Sequence, residues 1–270
     1  MSRLPAVADR FYPGDKQQLD DIIQELLKKA KTSKIQGAIG VVSPHAGYVY
    51  SGHVAAEVLG SVDIPETVIV IGPNHHGRGP SISLSRRDWE MPAGVVPINV
   101  ELSEILLEGN SDIATDDIAH QYEHSLEVQI PFLQALQEKL RIVPLALSQL
   151  PYPTCEKLGT SLAEAIRRYA KPVLMVASSD MSHYEPRKVA EKQDTMALDR
   201  LTNLDPEGLY TTVLANRISM CGIIAVTVVL QASLLLGADQ AEILRYTDSG
   251  EISGDTDKVV GYAGAVISKR

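Results

Sequence analysis

Histidine recurs directly after three segments of the chain that have the composition of buried β-strands. The segments and the histidines that follow them are Ala38–Ser43 with His45, Thr67–Ile71 with His75 and His76, and Val173–Ala177 with His183. In open α/β sheets, ligands bind outside the carboxyl ends of the strands, so side chains from distant parts of a sequence converge there. The pattern therefore predicts one functional site at this end of a sheet.

His45 and His75 are the candidate metal ligands, because neutral imidazole is the commonest protein ligand for iron, copper and zinc. His45 is followed by Ala46-Gly47, where a tight turn brings a ligand close to the backbone. The alternative for His45 is a turn histidine that bonds to the backbone. His75 and His76 are adjacent, and adjacent side chains of an extended segment point in opposite directions. One of the two enters the site, and we expect it to be His75.

Two imidazoles require a third, anionic ligand, and the candidates are Asp180, Glu127 and Cys221. Cys221 immediately precedes an apolar helix, and a helix N-terminus lowers the pKa of a thiol and favours the thiolate. The alternative is that Cys221 is a small buried hydrophobic residue. We assign that second interpretation to Cys155, which has no site residues near it in the sequence.

The candidates for catalysis are His124, Asp180 and His183. His124 and Glu127 are three residues apart, which places them on one face of a helix. The alternative is a helix start in which Ser125 caps the backbone and Glu127 complements the dipole. Asp180 could bind metal or orient His183, whose neutral form transfers protons near pH 7. Asp and Ser at a strand-to-helix junction also serve as ordinary turn residues.

The remaining segments supply the elements that position these residues. Further strands are predicted over Val95–Val100, Arg141–Leu147, Glu242–Thr247 and Val259–Ser268, the last as an antiparallel edge. Helices are predicted after Asp15 as N-cap and over Ser51–Val62, Ser125–Leu140, Thr154–Ala170, Arg187–Thr202, Pro206–Ala215 and Gly222–Leu236. Apolar strands that alternate with helices favour a mainly parallel or mixed sheet covered on both faces. No linker divides residues 1–270, so we expect a single α/β domain.

The composition narrows the range of partners and compartments. The net charge is −9 without a basic block, which argues against a nucleic-acid partner. The longest apolar run, Ile223–Leu236, is interrupted by polar residues, and no leader precedes the first helix. We therefore expect a cytoplasmic protein without a membrane span. Two cysteines cannot form a disulfide framework, and the oligomeric state stays open.

A series of short motifs resembles the Memo family and covers nearly the whole chain. In chain order the motifs are Pro44-His45-Ala46-Gly47-Tyr48, Gly72-Pro73-Asn74-His75-His76, Glu123-His124-Ser125-x-Glu127, Ser178-Ser179-Asp180-x-x-His183, Leu204-Asp205-Pro206, Cys221-Gly222 and Val260-Gly261-Tyr262-Ala263-Gly264-Ala265. Memo proteins are similar to class III extradiol ring-cleaving dioxygenases of the protocatechuate 4,5-dioxygenase type. The resemblance implies a three-layer α/β/α fold.

In those dioxygenases two histidines and a glutamate hold non-haem Fe(II), while another histidine acts as acid and base. The resemblance implies that His45 and His75 are metal ligands, that Cys221 takes the third position, and that His183 is the acid/base beside Asp180. His124 is a further catalytic candidate. A thiolate is softer than a carboxylate and shifts the preference toward copper or zinc. We expect Fe(II) or copper, with zinc as the alternative.

Three functions are compatible with such a site. The first is a metal-dependent redox enzyme that acts on an unknown small substrate. The second is a module that binds a peptide or a phosphorylated ligand, with Arg78, Arg86 and Arg87 contacting an anion; the eukaryotic family member is associated with phosphotyrosine-peptide binding. The third is zinc-assisted hydrolysis with His183 or Glu127 as base.

Overall fold

A mixed β-sheet runs through the middle of the protein. In the computed structural model, which describes residues 2–30 and 32–270, the strands are β1 (Ala38–Ser43), β2 (Thr67–Pro73), β3 (Ile82–Leu84), β4 (Trp89–Met91), β5 (Gly94–Val96), β6 (Ala114–Thr115), β7 (Arg141–Leu147), β8 (Val173–Ser178), β9 (His183–Glu185), β10 (Gln240–Asp248) and β11 (Val259–Ser268). Their order across the sheet is β10-β11-β1-β8-β2-β7-β3-β6, and β9 pairs with β11. β4 and β5 form a separate hairpin.

The centre of the sheet is parallel and its borders are mixed. β1, β8, β2 and β7 run parallel to one another, whereas β11 is antiparallel to β1 and β3 is antiparallel to β7. The mixed central sheet predicted from the sequence is therefore confirmed. β11 is antiparallel as predicted, but it is not an edge strand, because β10 pairs along its other side.

Helices cover both faces of this sheet. They are α1 (Lys16–Ala30), α2 (Tyr48–Gly60), α3 (Val100–Gly109), α4 (Ile130–Leu136), α5 (Tyr152–Tyr169), α6 (Arg187–Thr202), α7 (Pro206–Ala215), α8 (Ile223–Leu235) and α9 (Gly250–Ser253). α1, α2 and α4 pack on one face, and α3, α5, α7 and α8 pack on the other. Along β2, the side chains of Val68 and Val70 pack in the core on the face of α1, α2 and α4. Those of Ile69 and Ile71 pack in the core on the opposite face. Both faces of the strand are buried, which confirms the three-layer α/β/α fold.

Two predicted elements differ from the structure. The sequence predicts a strand over residues 95–100, but β5 ends at Val96 and α3 begins at Val100. Asn99 caps that helix, since its side-chain oxygen accepts a hydrogen bond from the backbone N–H of Leu102 at 3.0 Å. The helix predicted over residues 125–140 is a 3-10 turn followed by the short α4, after which Gln137 is extended.

The longest apolar run of the chain is α8. Its side chains are buried almost all the way round, including that of Thr227, because α8 packs against the sheet on one side and α5 and α7 on the other. A helix that is apolar on every face belongs in a protein interior. Within residues 2–30 and 32–270, no helix is long and apolar enough to cross a membrane.

A buried ion pair attaches the N-terminal segment, residues 2–13, to the body of the protein. Arg3 Nη1 lies 2.6 Å from Glu127 Oε2, and both side chains are almost fully buried. The Arg3 guanidinium also donates to the carbonyl oxygens of His120 and Glu123, at 2.8 and 2.7 Å. It lies 4.1 Å from the centre of the Trp89 ring, which adds a cation–π contact.

Glu127 completes this attachment. Its carboxylate accepts hydrogen bonds from the backbone N–H groups of Ala6 and Val7, at 2.8 and 3.0 Å, and from the Tyr12 hydroxyl. Both oxygens are therefore occupied by the N-terminal segment. Glu127 serves neither as a metal ligand nor as a catalytic base in this arrangement, and a fully paired carboxylate is what allows its burial.

Replacing Arg3 with alanine should lower the free energy of unfolding by about 3–5 kcal/mol, because it leaves the Glu127 carboxylate buried without its cation. Urea denaturation followed by circular dichroism measures the loss. Arg86→Ala is the matched control: it removes the exposed ion pair with Glu104 and should cost only about 0–1 kcal/mol. Equal losses in the two variants would contradict the role given to Arg3.

Candidate functional site

Parallel strand ends bring the predicted residues to one place. β1, β8 and β2 lie side by side, and Ser43 at the end of β1 is paired with Ser178 at the end of β8. The loops that follow these strands, the first residue of β9 and the turn before α8 carry His45, His75, Asp180, His183 and Cys221. Residues separated by as many as 176 positions thus meet at one edge of the sheet.

His45, His75 and Cys221 form one compact group of possible metal ligands. One ring nitrogen of each histidine and the Cys221 Sγ all lie within 4.8 Å of one another. The His45 Nε2 is 3.3 Å from that sulfur. His45 is buried, Cys221 is partly buried and His75 is exposed, so the group opens to solvent on the His75 side.

Ser178 fixes the orientation and the tautomer of His45. The Ser178 hydroxyl donates its one proton to the carbonyl oxygen of Ser125 at 2.6 Å, so it must accept the bond from His45 Nδ1 at 2.9 Å. The proton of the neutral ring is therefore on Nδ1, and the Nε2 lone pair faces Cys221. Burial lowers the pKa of His45 to about 3, with the neighbouring His75 acting in the same direction, so the ring is neutral at pH 7.

Glu123 holds His75, and sequence reasoning missed it. The Glu123 side chain is 1% exposed. Its Oε2 accepts from the His75 backbone N–H at 2.6 Å and its Oε1 contacts the His75 Nδ1 at 2.9 Å. Burial alone would raise the pKa of Glu123, but the hydrogen bond and charge of His75 outweigh it and lower that pKa to about 2. The available signal was an acidic residue directly before His124.

His124 lies inside the same cluster. Its ring stacks on that of His75, with centroids 4.7 Å apart and planes 19° apart, and the Phe11 ring of the N-terminal segment lies 4.9 Å away. Its centroid is 5.4 Å from that of His45. Burial and the neighbouring His45 lower the pKa of His124 to about 4, so this ring too is neutral at pH 7.

Asp180 connects the His45 loop to Cys221. Asp180 Oδ1 accepts from the His45 backbone N–H at 2.7 Å, and the Asp180 backbone N–H donates to the Cys221 Sγ at 3.2 Å. Burial raises the pKa of Asp180. Burial, with the Asp180 charge, also raises the pKa of the Cys221 thiol. The thiolate predicted from the helix N-terminus is therefore wrong for the metal-free protein, in which desolvation outweighs the helix dipole.

Ser219, and not Asp180, orients His183. The His183 backbone N–H donates to the Ser219 hydroxyl at 2.7 Å, and the His183 Nδ1 lies 2.9 Å from the Ser219 carbonyl oxygen. A carbonyl oxygen can only accept, so the Nδ1 carries the proton and the Nε2 is free to accept one. Asp194 stabilises the loop before His183, because its carboxylate accepts hydrogen bonds from the Ser182 backbone N–H and hydroxyl at 2.9 and 2.6 Å.

A family model described as Memo-like protein matches residues 3–266. The protein belongs to the Memo family. A MEMO1 family protein of Methanosarcina barkeri is 39% identical over 266 residues, which are 98% of this chain and 99% of that one. A MEMO1 family protein of Aquifex aeolicus is 39% identical over 267 residues, which are 98% of each chain.

A solved structure shares the fold of this Memo-family protein. An uncharacterized protein, JW3007 from Escherichia coli K12, matches 85% of this chain and 99% of its own with a TM-score of 0.58 and 17% sequence identity. At that identity the likeness concerns the architecture alone.

The other histidines of this Memo-family protein lie outside the group. His76 is exposed and its Nε2 contacts the Tyr122 carbonyl oxygen at 2.9 Å, so His75 is the member of the pair that faces the site. His120 is buried beside Trp89 and contacts the Ser83 carbonyl oxygen at 3.0 Å. His53 is 23% exposed and lies near Glu251.

The metal-free protein should lose stability as the pH falls from about 6.5 to about 4. His45 and His124 have folded pKa values of about 3 and about 4, below the ordinary value of about 6.5. In that interval the unfolded state binds protons that the folded state excludes, so folding is disfavoured. Urea denaturation at pH 7 and pH 5 measures the effect, and His124→Gln should flatten it. Imidazole NMR signals of these two rings that titrate near pH 6 would refute the assignment.

Proposed function

We propose that this Memo-family protein binds iron or copper through His45, His75 and Cys221 and uses the metal for redox chemistry on a small substrate. The observation that carries the proposal is the mutual distance of the three ligand atoms, all within 4.8 Å. Two imidazoles and a single anionic donor leave coordination positions open for a substrate or for dioxygen.

The protonation of the ligands supports metal binding. His45 is held at Nδ1 by Ser178, and His75 is held at Nδ1 by Glu123, which leaves each Nε2 available. Partners of this kind on the second ring nitrogen are a general feature of metal-binding histidines. The Cys221 thiol, whose pKa is raised by burial, would lose its proton as the metal binds.

The donor set also bears on the choice of metal. Thiolate and imidazole together suit copper, zinc and iron better than the hard cations magnesium and calcium. Bound iron or copper would supply electron exchange with dioxygen or with an organic substrate. Asp180 would hold the His45 loop and the Cys221 sulfur in place, and the His183 Nε2 would accept or return a proton of the substrate.

A cleft beside the proposed ligands offers room for a substrate. It has a volume of about 560 Å³ and borders both His75 and Cys221. Its wall combines polar side chains with apolar ones, and the lining residues include Asn74, Ser148, Gln149, Leu147, Ile224 and Ala225. Small-molecule sites have this mixture of apolar wall and a few orienting polar groups.

The two alternative functions, a module that binds a peptide or a phosphorylated ligand and a zinc-dependent hydrolase, have less support. Arg86 and Arg87 pair with Glu104 and Asp117, and Arg78 lies over the Tyr122 ring at 5.2 Å, so the three arginines that were to contact an anion are already engaged. For zinc-assisted hydrolysis, one of the two candidate bases is removed because the Glu127 oxygens bind the N-terminal segment.

Cys221→Ser should reduce the metal content from nearly a full complement to a trace, because a hydroxyl is a poor anionic donor at neutral pH. The stability of the metal-free protein should change little, since the hydroxyl can still donate to the His45 Nε2 or the Asp180 carbonyl, the partners of the thiol. Metal analysis and apo melting temperature on one preparation test both parts.

Cys155→Ser is the matched control for that substitution. Cys155 is fully buried in α5, and its thiol makes a long contact of 3.9 Å with the Leu150 carbonyl oxygen. This variant should keep its metal and lose about 1–3 kcal/mol of stability, because it buries a hydroxyl without a good partner. Intact metal binding in Cys221→Ser would move the third ligand to Asp180.

Anaerobically Fe(II)-loaded protein should consume dioxygen when a suitable small phenol or other reducing substrate is supplied, and metal-free protein should not. His183→Gln should retain the metal and lower turnover by about 10²–10⁴-fold, because it removes the proton acceptor. His76→Gln changes an exposed residue outside the group of proposed ligands, and this variant should retain both the metal and the turnover. An oxygen electrode and metal analysis measure these quantities. The absence of metal-dependent uptake across a broad panel would count against redox catalysis.

A further inference from the structure

Glu123 contacts two histidines of the site and is not itself one of the proposed ligands. We propose that Glu123 is the positioning residue that fixes the orientation and the tautomer of His75, on which the His124 ring stacks, so that the His75 Nε2 atom points away from the carboxylate and toward the other proposed ligands. The proposal deepens the metal-binding function above. The expected effect of Glu123 on metal affinity rests on that function, whereas the expected tautomer does not.

The contacts of Glu123 leave His75 little freedom. One oxygen accepts from the His75 backbone N–H and the other contacts its Nδ1, so the carboxylate binds the residue at two points, at 2.6 and 2.9 Å. The second oxygen also accepts from the Ser125 backbone N–H at 2.9 Å. An ionised carboxylate can only accept hydrogen bonds. The proton of a neutral His75 ring must therefore lie on Nδ1, with the lone pair on Nε2.

His124 shares the same oxygen. Its Nδ1 lies 3.4 Å from Glu123 Oε1, and its ring is nearly parallel to that of His75. Phe11 lies against the His124 ring and restricts its rotation. One carboxylate oxygen thus lies near the Nδ1 atoms of two stacked imidazoles, so the Nδ1 edges of both rings point toward Glu123.

The carboxylate is itself held firmly. Its side chain is buried, so water does not compete for its oxygens, and the backbone carbonyl of Glu123 accepts from Arg3 Nη2 at 2.7 Å. The two proposed histidine ligands are consequently unequal. His45 is held by the neutral hydroxyl of Ser178, whereas His75 is held by an anion, and an anionic partner makes the metal-facing nitrogen the stronger donor.

The test compares Glu123→Gln with wild type in two measurements. In metal-free protein labelled with ¹⁵N-histidine, long-range ¹H–¹⁵N correlation spectra distinguish the two neutral tautomers. Wild type should show an Nδ1–H ring for His75, and Glu123→Gln should show a mixture of the two tautomers for that ring. In competition with a chelator, Glu123→Gln should then bind Zn²⁺ about 10–100-fold more weakly than wild type does. Zn²⁺ is chosen because it is redox-silent.

Glu127→Gln is the control, because Glu127 is the other buried glutamate of this segment and contacts none of the three histidines. It should keep the wild-type tautomers and Zn²⁺ affinity even where it lowers the melting temperature. If Glu123→Gln folds poorly, Glu123→Asp retains the charge and should recover part of the affinity.

The outcomes separate this inference from the metal-binding proposal. Unchanged tautomers in Glu123→Gln, or a Zn²⁺ affinity no weaker than that of Glu127→Gln, would overturn the role of Glu123. If the tautomers shift in Glu123→Gln but the wild-type protein binds no Zn²⁺, Fe²⁺ or copper, Glu123 is the positioning residue and the proposed function is wrong.

Discussion

The parallel pairing of β1, β8 and β2 is the constraint on which the candidate site depends. Parallel neighbours end at the same edge of a sheet, and the pairing of Ser43 with Ser178 places the next residues of both strands at one level. A register shift of one residue would reverse the faces of a strand and move its loop. The buried side chains on both faces of β2 make such a shift costly, and so the two cores of the protein hold the loops in position.

Much of the fold follows from local sequence signals. The bounds of β1, β7, β11 and α7 agree with the sequence-based prediction, because the strands are apolar and Asp205 caps α7. Those of α6 agree as well, although no side chain caps its start. The helix α3 was missed because its capping residue, Asn99, follows a short apolar stretch typical of a strand. The start of the predicted helix is instead a 3-10 turn, in which Glu127 binds the N-terminal segment, and no local pattern reveals such long-range contacts.

The site shows the same division between local and long-range information. The order of the histidine loops was enough to predict that His45 and His75 lie together. The partners of those rings and of the His183 ring were not predictable, because Ser178, Glu123 and Ser219 meet them only through the fold. The raised pKa of the Cys221 thiol was missed for a similar reason: the helix N-terminus is visible in the sequence, whereas the burial and the nearby Asp180 that outweigh it are not.

The position of β1 in the sheet has a consequence for the order in which the molecule assembles. β1 pairs only with β8 and β11 among the described strands, and both come from the second half of the chain. During synthesis on the ribosome, one edge of β1 therefore stays unpaired until β8 has emerged, and the other edge until β11 has emerged. Contacts of such long sequence separation form slowly and leave apolar edges open to aggregation meanwhile. The candidate site, which includes Cys221, is accordingly completed late in synthesis.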